Sequence, residues 1–281
     1  MYVIDSAVRA NRPHQAIDAF EGFEWDPVLP PQGKEIAIAA AAKAYHILGR
    51  HDEEIDALDR LGSGPLQENV RLWETKQELA ALAAAGRIDE LDLRIEDVLV
   101  LPEVAPYPRA RVIVSAAVEL REHGHRRAAT RLAGRALEVI HESKPQERRH
   151  VGFADCCFDA MYLVGHAEEA RALAYESTRD WSDSLERARV IGIAAARAGH
   201  DSAAREQMLA LVQLDRPLRY GQGDYLRARI AALIGQREEA LHLLRRAIVN
   251  GFWDYTELRS CPDLESLRDH AEYQRLIEPK G

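Results

Sequence analysis

Cysteine and aromatic residues are scarce in this 281-residue chain, and positive charge is outnumbered, with 37 Lys and Arg against 46 Asp and Glu. Its three cysteines are Cys156, Cys157 and Cys261, an odd number with two adjacent and no CxxC pair. They make no disulfide framework, and a reducing, cytoplasmic compartment is expected. Aromatics are 6% of the chain and glycines number 17, which argues against a β-rich fold. The net charge of −9 argues against nucleic acid and against anionic membrane surfaces as partners, since both need a surplus of Lys and Arg. The most apolar stretch, Ile36 to Leu48, is mostly Ala and carries Lys43 and His46, so it is too short and too polar to span a bilayer. The opening MYVIDSAVRANR has neither a basic nor an apolar leader region, so no signal peptide is expected. Catalytic signatures are missing as well. There is no GxGxxG, no HExxH and no GxSxG, and Gly33-Lys34 is followed by Glu where a P-loop needs Ser or Thr.

What the chain has is alanine, 44 residues of it, and a phrase that returns. An apolar helix end is followed by Gly, a few polar residues and an Ala-rich helix, as in LGRHDEEI, AAGRIDEL, EHGHRRAA, LVGHAEEA, RAGHDSAA and LIGQREEA. The glycines are Gly49, Gly86, Gly124, Gly165, Gly199 and Gly235, spaced 37, 38, 41, 34 and 36 apart, with Asn11 in the same role 38 residues before the first. Gly and Asn both tolerate the left-handed backbone needed where a helix stops and the chain reverses. Five residues past the turn stands Ala in five of seven copies, and nine past it an apolar residue in all seven. Pro27, Pro65, Pro102, Pro145 and Pro217 mark exits from the second helices, because Pro cannot continue a helix. Where no proline stands, Asp183 followed by Glu186 resembles a helix N-cap with its reciprocal partner. A lone hairpin cannot bury its apolar face, so the copies are expected to stack in a row.

This pattern resembles the tetratricopeptide repeat (TPR), with its small residue on the first helix, Gly at the turn, Ala on the second helix and Pro at the exit. The resemblance implies an all-α, right-handed solenoid of about seven helical hairpins in one domain, residues 1–281. The units fall roughly at 1–27, 34–64, 70–101, 108–144, 148–180, 183–216 and 222–250. The segment 251–281 is similar to the closing cap of bacterial TPR signalling proteins, through Gly251, Leu258, Pro262, Asp263, Leu264, Leu267, Arg268 and Tyr273. It is expected to cover the open apolar end of the stack. The short first helix suggests a small stand-alone repeat protein or the regulatory tail of a longer kinase, cyclase or transcription regulator.

In that family the concave wall is built by the first helix of each pair, and ligands face positions about 13, 10, 6 and 3 residues before the turn Gly. Carried to this chain, the resemblance implies a partner groove of Lys43, His46, Trp73, Lys76, Arg111, Arg121, Asp155, Asp159, Tyr162, Arg189, Tyr225 and Arg229. The wall is locally basic in an acidic protein, and Trp73, Tyr162 and Tyr225 offer aromatic anchors. The expectation is a non-enzymatic scaffold for a protein or a peptide of acidic character, with no cofactor and no metal.

The other polar clusters have plainer readings. His150, Cys156, Cys157 and His166 are spaced poorly for a metal, since adjacent cysteines on a helix point about 100° apart. His51, His123, His125 and His200 sit beside turns, where helix C-termini favour cations. The paired acids Glu53-Glu54, Glu168-Glu169 and Glu238-Glu239 open second helices, where they suit the helix dipole.

Overall fold

The computed structural model describes residues 2–22, 31–60, 68–100, 108–142, 151–181, 184–214 and 219–280, with side chains described except at 2, 31–32, 68–74, 108 and 151–153. Pro27, Pro65, Pro102, Pro145, Pro217 and Asp183 lie outside these residues, as does His150.

The protein is all-α, with no strand among the described residues. Seven antiparallel hairpins follow one another. They are α1 (Tyr2–Arg9) with α2 (Pro13–Glu21), α3 (Pro31–Ile47) with α4 (His51–Asp59), and α5 (Glu68–Ala84) with α6 (Ile88–Val100). Next come α7 (Pro108–Glu122) with α8 (Arg126–Glu142), and α9 (Val151–Leu163) with α10 (Ala167–Ser177). The row ends with α11 (Ser184–Arg197) and α12 (Asp201–Leu214), then α13 (Gln222–Leu233) and α14 (Arg237–Val249).

One local device makes all seven reversals. Asn11 and the six repeat glycines each take a positive φ, from 56° at Asn11 to 88° at Gly165. In each turn the next N–H reaches back to the carbonyl five residues earlier, as in Arg50 N to Tyr45 O at 2.9 Å and His166 N to Met161 O at 2.8 Å. That bond satisfies a carbonyl the helix end would leave orphaned. The small residues then let helices close on one another. A Cβ at Gly192 would stand 2.7 Å from Ile230 Cδ1 and 2.9 Å from Gln207 Cβ. Ala16, Ala129, Ala170, Ala204 and Ala240, five past each turn, are all buried.

The closing segment forms α15 (Tyr255–Ser260), a 3₁₀ turn (Pro262–Leu267) and α16 (Ala271–Ile277). It does more than cover one end. It packs on α13 and α14, and it also touches α3 and α7. Its tail reaches the first hairpin, where Asn11 Nδ2 donates to Glu278 O at 2.7 Å and Lys280 N donates to Asn11 O at 2.7 Å. Trp253, just before α15, is 40% exposed and lies under the Arg9 guanidinium, 4.1 Å from the ring centroid. One apolar core therefore holds residues of both chain ends, including Ile4, Phe20, Tyr225 and Tyr273. The row is closed head to tail. No described helix is long and apolar enough to cross a membrane.

Gly221 shows how tightly the last hairpin is built. Its φ is +76°, and a Cβ there would stand 2.2 Å from Ala247 O. Gly165, with φ +88°, has nothing within 4 Å of that position. Gly165→Ala is expected to lose about 1–2 kcal/mol for the left-handed backbone alone. Gly221→Ala is expected to lose clearly more, because α13 and α14 must also separate. Urea denaturation of the two variants checks the ranking.

Candidate functional site

Closure leaves a cavity of about 530 Å³ between the inner helices and the closing segment. The odd-numbered helices supply most of its wall because the first helix of each pair lies on that side. Lys43, His46, Lys76, Arg111, Asp155, Asp159, Tyr162, Arg189 and Arg229 are brought together around it. Asp254, Thr256, Glu257, Ser260, Cys261 and Pro262 face them from the closing segment. Trp73 belongs to α5, with its side chain outside the described ones.

The expected open basic wall does not exist as such, because the chain covers much of it with its own acids. Arg197, only 5% exposed at its side chain, donates to Asp263 at 2.8 Å and to Asp159 at 2.7 Å. Arg229 donates twice to the other oxygen of Asp263, at 2.9 and 2.7 Å, and lies 3.9 Å from Glu257. The Asp263 carboxylate is wholly buried. Burial alone would raise its pKa, but Arg197 and Arg229 hold it below the usual carboxylate range. Arg189 is clasped by Asp155 at 2.8 Å and by Glu186 at 2.6 Å. Arg121 reaches Glu265 of the closing segment at 3.1 Å. Tyr162 lies between two of these guanidinium groups, 4.4 Å from Arg197 and 5.2 Å from Arg121.

Two further expectations are corrected. Tyr225 is not a groove anchor. It is 2% exposed, stacks on Phe252 at 4.2 Å between centroids, and donates to Glu257 at 2.9 Å. The reason is its place in the last hairpin, where the first helix meets the closing segment rather than solvent. Glu54 is not a solvated dipole partner either. Its side chain is fully buried and accepts from His46 Nδ1 at 2.9 Å and from His51 Nδ1 at 3.2 Å. Burial pushes the His46 pKa down, but Glu54 and Glu119 outweigh it and carry it up to about 9. His123 goes the other way, to about 4, through burial and the neighbouring His51 and His46.

The cysteine and histidine set beside the cavity is not gathered. Cys156 faces the cavity, Cys157 turns toward Met161 at 3.7 Å, and exposed His166 pairs with Glu169. All three thiols are free and buried.

What remains uncompensated is one patch of the wall. Among the described residues Lys43, Lys76 and Arg111 have no acid within ion-pair distance, unlike Arg121, Arg189, Arg197 and Arg229. Lys76 is half-buried. Desolvation and the charges of Arg111 and Lys43 lower its pKa, against a weaker pull from Glu119. The patch favours an anion, whose arrival would relieve that repulsion.

Sequence reasoning missed Arg197, Asp263, Glu257 and Glu119 as parts of this site. Arg197 stands two residues before its turn Gly, outside the ligand-facing register. Glu54 did carry a signal, since it is the charged residue at a position held by Ala or Leu in every other copy.

A family described as A/B hydrolase-like, N-terminal domain, matches residues 224–279, the last hairpin and the closing segment. That is a minor part of the chain. No curated protein matches. A tetratricopeptide repeat protein of Parabacteroides merdae is similar over 94% of this chain and 95% of its own, with a TM-score of 0.48 and 11% sequence identity.

Removing the acid at the centre of the network exposes its worth. Asp263→Asn leaves two guanidinium groups short of a buried counter-ion and is expected to destabilise the fold by about 3 kcal/mol. The sign of its pH dependence follows from the lowered folded pKa. The contribution is present above the unfolded value of about 3.9 and is lost only as pH falls further. Thermal unfolding of wild type and variant at pH 7 and pH 3 checks both statements, with the difference shrinking at pH 3.

Proposed function

We propose that this chain is a non-enzymatic binding scaffold of the TPR type, whose cavity receives an acidic group of a protein or peptide partner. The observation that carries the reading is the patch of Lys43, Lys76 and Arg111. Three cations share one wall of the cavity, Lys76 is partly desolvated, and among the described residues none lies within ion-pair distance of an acid. A folded protein that keeps such a patch spends stability on it, and an anionic partner returns it. The reading assigns no catalytic residue. Asp155 and Asp159 are held by arginines, and Cys156 is pushed far above the thiolate range by burial and by Asp159, so it is no nucleophile.

The neighbouring acids define the partner's size. Asp155, Asp159 and Glu257 already hold their arginines, so a long acidic strand along the whole wall would compete with bonds already made. A short segment that delivers one or two carboxylates to Lys76 and Arg111 competes with nothing. The free thiols suit a reducing cytoplasm. A second reading, a regulatory module joined to an effector, has one observation in its favour: the family matching 224–279 is described as an N-terminal domain, hence as part of longer chains.

Fluorescence anisotropy with short acidic and basic peptide libraries tests the reading. Wild type is expected to prefer the acidic set, and Lys76→Glu with Arg111→Glu to lose it by ten-fold or more. Equal binding of both sets, or no change in the double variant, would overturn it.

A further inference from the structure

The turn of the second hairpin gathers a cluster that the anion patch does not use. His46 ends α3, His51 begins α4, and Glu54 stands one helical turn further on. The left-handed reversal at Gly49 folds this H-x4-H-x2-E spacing onto itself. One donor atom from each of the three residues lies within 4.8 Å of the others. The Glu54 carboxylate is wholly buried at the centre, 2.9 Å from His46 Nδ1 and 3.2 Å from His51 Nδ1. Metal–nitrogen and metal–oxygen bonds of about 2.0–2.2 Å in a tetrahedral site place donors roughly 3.3 Å apart, so these spacings are near those of a formed site.

A second carboxylate stands behind the first imidazole. Glu119 Oε2 is buried, has no hydrogen-bond partner, and lies 3.7 Å from His46 Nε2 and 3.8 Å from His123 Nε2. His123 packs edge-on against His51, with centroids 5.5 Å apart. Glu119 lies in the last turn of α7 and His123 directly follows that helix, so its C-terminal end delivers both. Neither Glu54 nor Glu119 has a Lys or Arg within ion-pair distance among the described residues. Arg259, whose charge reaches His46, is held by the carbonyls of Tyr255 and Ile277.

Two buried carboxylates with imidazoles, and among the described residues no Lys or Arg, within ion-pair distance are an arrangement that a divalent cation completes. We infer that His46, His51 and Glu54 bind one borderline transition-metal ion of the zinc class, with Glu119 as the outer partner of His46. In this site His46 and His51 ligate through Nδ1 and Glu54 through a carboxylate oxygen. His46 keeps its proton on Nε2, directed at Glu119, which fixes tautomer and ring orientation as carboxylate partners of metal-bound histidines do. The donor set of two nitrogens and one oxygen excludes a calcium-type ion, which needs six or more oxygens. A fourth position is left for water or His123. The consequence is structural: the ion would tie the α3–α4 turn to α7 across the inner wall and strengthen closure near the patch that Lys76 occupies.

The test uses the full chain, stripped with chelator and titrated with Co²⁺, a visible stand-in for Zn²⁺. The expected result is one Co²⁺ per chain, with d–d absorption of a four- or five-coordinate ion that Zn²⁺ abolishes in competition. His51→Asn and Glu54→Gln are each expected to weaken binding by at least ten-fold, with helical circular dichroism unchanged in His51→Asn. Should Glu54→Gln fail to fold, His51→Asn decides alone, because its side chain is not at the core. Absence of stoichiometric Co²⁺ binding, or the same spectrum and affinity in His51→Asn, overturns the inference. So does a spectrum of six oxygen-type ligands.

Discussion

The rest of the structure depends on one buried carboxylate, Asp263, held between Arg197 and Arg229. Each arginine comes from the inner helix of a different hairpin, and the acid comes from the closing segment. The three groups fasten the closing segment over part of the inner wall and leave a partly open cavity beside it. Charges removed from water gain only when geometry is good and every donor is used. Here Arg197 divides its donors between Asp263 and Asp159, while Arg229 gives two to Asp263. The closing segment's acids thus act as the ligand that the inner wall would otherwise attract.

That constraint also explains which cations remain. Arg121, Arg189 and Arg229 are paired with acids within the chain, which offsets their pull on anything outside. Lys43, Lys76 and Arg111 lie on helices where, among the described residues, the closing segment brings no acid within ion-pair distance, and Asp254 offsets the field there only in part. The functional proposal and the metal site occupy adjoining stretches of this wall. They rest on different chemistry, one on cations without an acid at ion-pair distance and the other on carboxylates whose ion-pair partners among the described residues are imidazoles.

Much of the architecture was legible in the sequence because the signals are local. A left-handed turn residue every 34 to 41 positions is a backbone requirement that Asn11 and six glycines meet by themselves. The Ala positions report close helix approach, which needs only neighbouring repeats. The path of the closing segment was not legible. Whether Asp263 meets Arg197 and Arg229, and whether Asn11 meets Glu278, depends on the accumulated curvature of seven hairpins. For that reason Tyr225 looked like a groove anchor and proved to be core. Glu54 is the instructive intermediate. Its charge at an Ala position was visible, but its meaning required knowing that His46 and His51 fold back on it.

The central claim is that residues 255–277 lie inside the row of hairpins and leave one cationic patch open to a partner. Hydrogen–deuterium exchange on the free protein, and then with an acidic peptide, tests this most directly. The account predicts that amides of α15 and α16 are protected to the same degree as those of α13, and that peptide adds protection along α3, α5 and α7 without loosening the closing segment. Rapid exchange across 255–277 in the free protein, or added protection confined to the second helices of the hairpins, would contradict it.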